Sequence, residues 1–337
     1  MQTQILDINP ESLELAKKLL SNGELVAFPT ETVYGLGANA IDCDAISKVY
    51  AVKGRPSDNP LIVHIHKDYD ITKLVRVTNS YCEKIAKAFL PGPLTMVYKS
   101  LGVVASNLSC GLDTLALRVP SHKGAQEFLK YVNLPIAAPS ANLSKHVSPV
   151  TAEHVFTDFN GKIPLVLQGG RCDGGIESTV LDVTGEYPVI LRKGLITAEM
   201  IKKVVGECFY ANDMPKQGEQ VRSPGMKYSH YCPNCKTALF KRDQIDSAVE
   251  LYKNETQNGL RVGFLADGEI APLLKDYNVL YFGETAEQMA GNLYHLLRRA
   301  EQEFDLLISF EILTDSELKL SVNNRFLKAF GKGIKHD

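Results

Sequence analysis

The sequence lacks any run of eighteen consecutive apolar residues, and no basic stretch followed by an apolar one stands near Met1. We therefore expect neither a membrane-spanning helix nor a secretory signal. The formal net charge is only −2, so an anionic ligand would need a local cluster of Lys and Arg. The seven Cys are scattered and odd in number, which disfavours a disulfide framework and favours a reducing, cytoplasmic compartment.

Familiar catalytic and metal-binding patterns are also missing. We find no P-loop lysine motif, no H-E-x-x-H and no Ser/His/Asp order that would mark a nucleophile. Cys232-Pro-Asn-Cys235 is a lone C-x-x-C, and because a zinc site needs a second ligand pair, incidental thiols are favoured over zinc. Gly35-Leu-Gly37 follows an apolar run, but the third glycine of a dinucleotide fingerprint is absent.

The chain has 337 residues, of which 45% are apolar, so it is globular and long enough for two domains. We place the first domain at 1–208, in which short strands follow one another and predict a mixed open sheet rather than a parallel wind. The predicted helices are 11–22, 43–52, 79–89, 123–131, 151–158 and 197–206. The predicted strands are 25–28, 61–65, 94–98, 114–119, 136–138, 165–167, 178–183 and 189–191.

Periodicity stops around 210–231, where the sequence is polar and rich in Pro and Gly. A loop of that length is a linker or a functional lid, and we assign it to 209–234. Regular alternation of strands and helices then predicts a small parallel α/β domain at 235–337. Its predicted strands are 237–241, 260–265, 278–282 and 305–311, and its predicted helices are 243–254, 285–304 and 316–330.

The densest polar cluster is Lys53-Gly-Arg-Pro-Ser-Asp-Asn-Pro-Leu61. Lys53 and Arg55 are two residues apart, and in an extended segment they would point the same way and clamp a phosphate. Ser57 and Asn59 would add hydrogen bonds. A solvated basic turn is the alternative. The position between two apolar segments, beside a strand end, favours a ligand site.

Other polar groups also follow apolar strands. Thr30, Glu31 and Thr32 either form a capped turn or present polar groups to a small ligand. Arg118 stands in an otherwise apolar strand, so a ligand carboxylate or an internal Asp or Glu must neutralise it. His64 and His66 would face the same side of a strand, where one of them could face a ligand.

Seven segments stand in a fixed order along the chain: Phe28-Pro-Thr-Glu-Thr-Val-Tyr-Gly-Leu36, Lys53-x-Arg-Pro-x-x-Asn-Pro-Leu61, Leu90-Pro-Gly-Pro-Leu-Thr95, Ala138-Pro-Ser-Ala-Asn142, Glu177-Ser-Thr179, Ser223-Pro-Gly-Met-Lys-Tyr-x-His-Tyr231 and Asn324-Arg325. Together, and in this order, they resemble the YrdC-type threonylcarbamoyl-AMP synthases in their two-domain form. The resemblance implies a twisted, mixed open α/β sheet with a large basic cavity, followed by a small Rossmann-like parallel α/β domain.

The resemblance also implies a reaction in which L-threonine, bicarbonate or CO₂, and ATP give threonylcarbamoyl-AMP and pyrophosphate. Mg²⁺ would enter with the ATP phosphates, without a metal site made by the protein. A separate machinery would transfer the product to tRNA beside the anticodon, and a weak tRNA contact is possible. By matching position, the implied ATP residues are Lys53, Arg55, Ser57, Asn59, Thr114, Ser140, Asn142, Ser148, Arg192 and Tyr231, with Lys53 and Arg55 catalytic. The implied threonine residues are Thr30, His64, Arg118, Ala138 and Ser178.

Two other functions are alternatives. A non-catalytic RNA-binding protein could use the basic cavity for a phosphate backbone, but few aromatic residues interleave with the basic ones. A carbamoyl-transferring hydrogenase-maturation protein contains a related domain, but it should carry acylphosphatase and zinc-finger segments, which this chain does not have. The absence of a nucleophile suits an enzyme that works by juxtaposition of substrates, charge neutralisation and exclusion of water.

Overall fold

The computed structural model describes residues 2–213, 231–331 and 334–335 and divides into two compact units. The first unit holds residues 1–144 and 148–228, and the second holds 145–147 and 229–337. No helix within the described part of the chain is long and apolar enough to cross a membrane. Most of the predicted lid lies outside the described residues.

The first unit is built on one large sheet of twelve strands. Its helices are α1 (Pro10–Ser21), α2 (Cys43–Lys53), α3 (Tyr81–Phe89), α4 (Lys123–Val132), α5 (Ala152–Phe159) and α6 (Ala198–Val205). Its strands are β1 (Gln4–Asp7), β2 (Val26–Phe28), β3 (Gly35–Asn39), β4 (Ile62–His64), β5 (Val75–Arg76), β6 (Leu94–Ser100), β7 (Thr114–Arg118), β8 (Ile136–Ala137), β9 (Leu165–Gln168), β10 (Thr179–Asp182), β11 (Val189–Arg192) and β12 (Phe209–Tyr210).

The sheet order is β1-β9-β2-β3-β8-β4-β7-β6-β10-β11-β12, and β5 pairs with β6. β4 and β7 run parallel, whereas β8 and β6 on either side of them run antiparallel to them. The predicted mixed sheet is therefore confirmed. The antiparallel neighbours also mean that the carboxyl ends of β4 and β7 lie beside the amino ends of β8 and β6.

Helices α1 and α4 cover one face of the β2 region. Before helix α1, the Asn9 side chain accepts a hydrogen bond from the Ser12 amide, and the Ser12 side chain accepts one from the Asn9 amide. This capping box satisfies amides that would otherwise be unpaired. Its apolar positions recur at helical spacing and pack with Phe28 and Phe128, whose ring centroids lie 5.1 Å apart. The hydrophobic contact fixes the strand that leads into the Thr30 turn.

Strand β3 was not predicted, because its glycines give a weak strand signal. Packing explains Gly37: a Cβ atom there would lie 2.9 Å from Ile136 Cγ2 and 3.0 Å from the Val26 carbonyl oxygen. Only a residue without a side chain fits between the two neighbouring strands at this point. What resembled part of a dinucleotide motif is thus a strand with a close-packing requirement.

The second unit contains a parallel sheet, as predicted. The strands are β13 (Lys236–Phe240), β14 (Val262–Ala266), β15 (Val279–Tyr281), β16 (Leu306–Phe310) and β17 (Ile334–Lys335), and the helices are α7 (Ile245–Gln257), α8 (Ala286–Glu303) and α9 (Glu317–Phe330). The sheet order is β15-β14-β16-β13-β17, and each neighbouring pair in it is parallel.

Candidate active site

Three polar side chains form a row across the middle of the large sheet. His64 ends β4, Arg118 ends β7, and Thr95 lies near the start of β6. Arg118 is the register partner of His64 on one side and of Thr95 on the other. Register partners project from the same face of a sheet, so these three side chains lie together. All three are buried. A charged group in such a place needs partners.

The partners of Arg118 come from the turn after β2. Arg118 Nη2 lies 3.0 Å from Glu31 Oε1 and donates a hydrogen bond of 2.7 Å to Thr32 Oγ1. Thr30 Oγ1 shapes this turn, because it accepts from the amides of Thr32 and Val33 and donates to the Val33 carbonyl. The sequence left open an internal acid or a ligand carboxylate, and the structure supplies the internal acid.

His64 is held neutral beside this cation. Burial and the neighbouring Arg118 charge lower the pKa of His64 from 6.5 to about 3. Its Nδ1 lies 3.2 Å from the Ile62 carbonyl oxygen. Strand β4 ends at His64, so His66 lies beyond it, with Nε2 3.2 Å from Asn133 Oδ1.

The depressed pKa of His64 makes the fold sensitive to acid. Between pH 6.5 and about 3 the unfolded chain protonates His64 and the folded chain does not, so the free energy of unfolding falls as pH falls. We expect a loss of about 2 kcal/mol between pH 7 and pH 5 from this group. Urea unfolding at both pH values should show a smaller difference in His64→Gln than in the wild type or in His66→Asn, which retains His64. Equal differences in all three would contradict this account.

Ser178 joins the predicted residue Arg192 to the row. Its hydroxyl lies 2.8 Å from Thr95 Oγ1, and its carbonyl accepts two hydrogen bonds from Arg192, of 2.9 Å from Nη2 and 3.2 Å from Nε. Next to it, Ser148 donates a 2.8 Å hydrogen bond to Glu177 Oε1. The short hydroxyl side chains keep the surroundings of Arg118 polar without filling them.

Lys53 is not in an extended segment, and that expectation is wrong. It is the last residue of α2, and Gly54 ends the helix in the left-handed conformation with φ of 61°. Lys53 is buried, and its Nζ donates to the carbonyl oxygens of Ser140, at 2.5 Å, and of Asn142. The ammonium therefore ties the end of α2 to the segment that follows β8.

The rest of this predicted cluster follows Lys53 along the chain. Arg55 is partly exposed and Ser57 is exposed, whereas Asn59 is buried and its carbonyl accepts from Tyr50 Oη at 3.1 Å. Ser140 Oγ donates to Asn142 Oδ1 at 2.6 Å. The positive charges of Lys53 and Arg55, two residues apart, can hold an anion.

The predicted residues fall into two groups along the central strands. Thr114 begins β7 and Arg118 ends it, which separates their α carbons by about 13 Å at the usual rise of a strand. Ala138 directly follows β8, and its amide donates to the Ile62 carbonyl near the start of β4. Lys53, Ser140 and Thr114 thus belong toward one end of these strands, and His64 and Arg118 toward the other.

Tyr231, the remaining predicted residue, is described within the second unit. Its ring stacks on that of Tyr294 with centroids 5.2 Å apart, and Lys328 Nζ lies 5.9 Å from the ring centroid. In the same unit, burial raises the pKa of Cys235 to about 11, so this thiol is protonated at neutral pH.

Sequence reasoning named Glu31 and Thr32 as possible ligand groups without assigning them to a substrate, and it assigned no role to Thr95 and Glu177. Thr32, Thr95 and Glu177 contact the predicted residues directly, and Glu31 neutralises Arg118. Thr32 and Glu31 lie in the same turn as Thr30, so the turn itself was the available signal. Nothing in the local sequence around Thr95 indicates that its hydroxyl meets Ser178, since the two strands pair only in the folded sheet.

Comparison with known proteins places the chain in a family. A model of the Sua5, YciO and YrdC proteins, described as telomere recombination, matches residues 18–194, and one described as the C-terminal domain of threonylcarbamoyl-AMP synthase matches 196–331. The Pyrococcus abyssi threonylcarbamoyl-AMP synthase is 40% identical over 96% of this chain and 95% of that protein. The Bacillus subtilis threonylcarbamoyl-AMP synthase is 41% identical over 98% and 96%.

A solved structure agrees with the sequence relatives. The crystal structure of P. abyssi Sua5 complexed with L-threonine superposes with a TM-score of 0.86 at 38% identity, covering 99% of this chain and 100% of that one. Both family models and the near full-length similarity therefore point the same way: the chain belongs to the Sua5/YrdC family of threonylcarbamoyl-AMP synthases.

Proposed function

We propose that this protein forms threonylcarbamoyl-AMP from L-threonine, bicarbonate or CO₂, and ATP, with release of pyrophosphate. The observation that carries the proposal is the buried, polar Arg118 site in a chain that resembles, over almost its whole length, a protein crystallised with L-threonine. A buried guanidinium surrounded by small hydroxyl groups is suited to a small carboxylate ligand.

On the threonine side, Arg118 would bind the α-carboxylate. Thr30 and Ser178 would offer hydroxyl groups, and neutral His64 would add no positive charge next to the guanidinium. Ala138, which is buried and carries only a methyl group, would leave room for the substrate.

On the nucleotide side, the Lys53 group would hold the phosphates. Lys53 and Arg55 supply positive charge, and Ser57 and Asn59 supply hydrogen bonds. By resemblance to the family, Tyr231 is a further proposed nucleotide residue. An extended triphosphate with its ribose would bridge the distance of about 13 Å between the two ends of the strands. The other proposed contacts to the nucleotide are Thr114, Ser140, Asn142, Ser148 and Arg192.

The chemistry needs no protein nucleophile. The amine of threonine attacks CO₂ to give a carbamate, and the carbamate oxygen attacks the α-phosphorus of ATP in line as pyrophosphate leaves. Mg²⁺ would arrive with ATP, held by its phosphate oxygens, and would neutralise charge as pyrophosphate departs. The protein holds the reactants together, neutralises charge and excludes water from the labile carbamate.

The product would serve tRNA modification in the cytoplasm, where a separate machinery transfers the threonylcarbamoyl group to an adenosine beside the anticodon. Any direct contact of this protein with tRNA would be weak, because the net charge of −2 supplies no general attraction to phosphate backbones.

The test is detection of the AMP adduct by mass spectrometry, with and without L-threonine and bicarbonate. We expect the adduct and pyrophosphate only when ATP, threonine and bicarbonate are all present. Failure to form the adduct, combined with RNA binding that weakens steeply as salt is added, would replace the proposal by a non-catalytic RNA-binding function.

A further inference from the structure

The ion pair between Arg118 and Glu31 leaves hydrogen-bonding atoms of both side chains without a partner among the described residues. Both side chains are largely buried, with 5% of the arginine and 17% of the glutamate side chain exposed. Glu31 Oε1 lies 3.0 Å from Arg118 Nη2. Among the described residues, however, the two carboxylate oxygens of Glu31 have no hydrogen-bond partner, and the Arg118 Nε has none either. A buried carboxylate can accept several hydrogen bonds, and leaving them unmade is costly.

The backbone of Glu31 is nevertheless fixed. Its carbonyl accepts a 2.7 Å hydrogen bond from the Gly174 amide, and a Cβ atom on Gly174 would lie only 2.8 Å from that carbonyl oxygen. Thr30 on one side and Thr32 on the other are hydrogen-bonded within the turn. The turn therefore holds the carboxylate next to the guanidinium while leaving its oxygens available.

The carboxylate of Glu31 has unused acceptors and the guanidinium of Arg118 has an unused donor. Such a pair is complementary to a zwitterion, which carries one positive and one negative group. The ammonium and carboxylate of an amino acid are borne by one carbon atom, so they lie about as close together as Glu31 and Arg118 do. If Arg118 receives the carboxylate, as proposed above, the ammonium falls next to the Glu31 oxygens. The hydroxyl groups of Thr30 and Thr32, which are 2.9 Å apart, border the same space.

We propose that Glu31 binds the α-ammonium of L-threonine and accepts one of its protons, which frees the amine for attack on CO₂. This rests on the proposed function and on Arg118 as the carboxylate site. One N–H bond of the ammonium breaks and an O–H bond forms on a Glu31 oxygen. The nitrogen lone pair then forms a bond to the carbon of CO₂ while a C=O electron pair moves onto oxygen. The proton still in excess on nitrogen leaves to water, which gives the carbamate, and Glu31 later returns its proton to solvent.

The deciding measurement is the pH profile of adduct formation by Glu31→Gln at saturating threonine, bicarbonate and ATP. Because a general base contributes on the order of 10²-fold or more, we expect a loss of that size at pH 7. Activity should then recover about tenfold per pH unit toward alkaline pH, since free threonine amine becomes available from solution. Glu31→Asp, which keeps a carboxylate, should follow the pH profile of the wild type at a lower rate.

Glu24→Gln is the matched control, because Glu24 is a partly exposed glutamate paired with Lys48 outside the site. It should behave as the wild type does. If Glu31→Gln has the rate and the pH profile of the wild type, Glu31 is only the counter-ion of Arg118 and the proposal is overturned. If the wild type itself forms no threonine-dependent adduct, the proposed function fails instead.

A second measurement needs no folded variant. The 2-hydroxy analogue of threonine, in which a hydroxyl replaces the ammonium, retains the carboxylate for Arg118 and loses the charge for Glu31. Calorimetry on the wild-type protein should show that it binds at least tenfold more weakly than L-threonine, because one buried charged contact is lost. Equal affinity for the two compounds would overturn the role of Glu31.

Discussion

Lys53→Met is expected to lower threonine-dependent pyrophosphate release on the order of 100-fold or more, because it removes a preorganised positive charge from the phosphate site. Met keeps the unbranched shape of the side chain and deletes only the ammonium. The structure adds a second effect: Ser140 and Asn142 each lose a hydrogen-bond donor to a backbone carbonyl. That loss costs about 1–3 kcal/mol in the free energy of unfolding.

Both effects can be measured side by side. ATP–pyrophosphate exchange reports the chemistry, and urea unfolding reports the stability. Lys48→Met is the matched control, since Lys48 lies on the same helix, is partly exposed and pairs with Glu24 at 2.8 Å. Arg55→Ala removes the second charge of the cluster from a partly exposed position. If folded Lys53→Met and Arg55→Ala both exchange at the rate of the wild type, the phosphate assignment is wrong.

Arg118→Lys is expected to raise KM for L-threonine on the order of 100-fold while leaving KM for ATP nearly unchanged. Lysine keeps the positive charge opposite Glu31, so the acid is not left buried without a counter-ion. It cannot reproduce the planar, forked guanidinium that binds a carboxylate through two hydrogen bonds. Losing one partner of a buried charged contact costs about 2–5 kcal/mol of binding free energy. A rise in KM on the order of 100-fold lies within that range.

Arg192→Lys provides the reciprocal measurement. Arg192 contacts the Ser178 carbonyl and is assigned to the nucleotide, so this variant should raise KM for ATP more than KM for threonine. Arg261→Lys, at an exposed arginine paired with Asp305, should change neither constant. An equal rise of both constants in Arg118→Lys would mean that Arg118 supports the fold of the site and does not bind threonine itself.

Much of the secondary structure could be predicted from short stretches of sequence. Helix α1 was predicted at 11–22 and lies at Pro10–Ser21, and α8 was predicted at 285–304 and lies at Ala286–Glu303. In both, apolar residues recur at helical spacing between capping signals, so the information is local. Strand β3 was missed, because its glycines are required by neighbouring strands and not by any local preference.

The candidate site divides in the same way. Residue types and their order along the chain determined, by resemblance, the family and the residues proposed for each substrate. Only the tertiary structure decided what those residues contact. Lys53 lies at the end of α2, and its ammonium contacts carbonyl groups after β8. The left-handed conformation of Gly54 ends the helix there, and the alternation of side chains expected for an extended segment does not show this.

The same holds for Arg118. The sequence requires that a guanidinium in an apolar strand be neutralised, but it does not say by which group. Thr32, which accepts a hydrogen bond from Arg118, is 86 residues away along the chain, and Glu31 is its neighbour. Helical and strand periodicity act over a few residues, whereas the order of strands in the sheet brings distant segments together. The sequence by itself therefore determined most of the helices and strands and, by resemblance, the family, whereas the sheet decided that Glu31 stands beside Arg118.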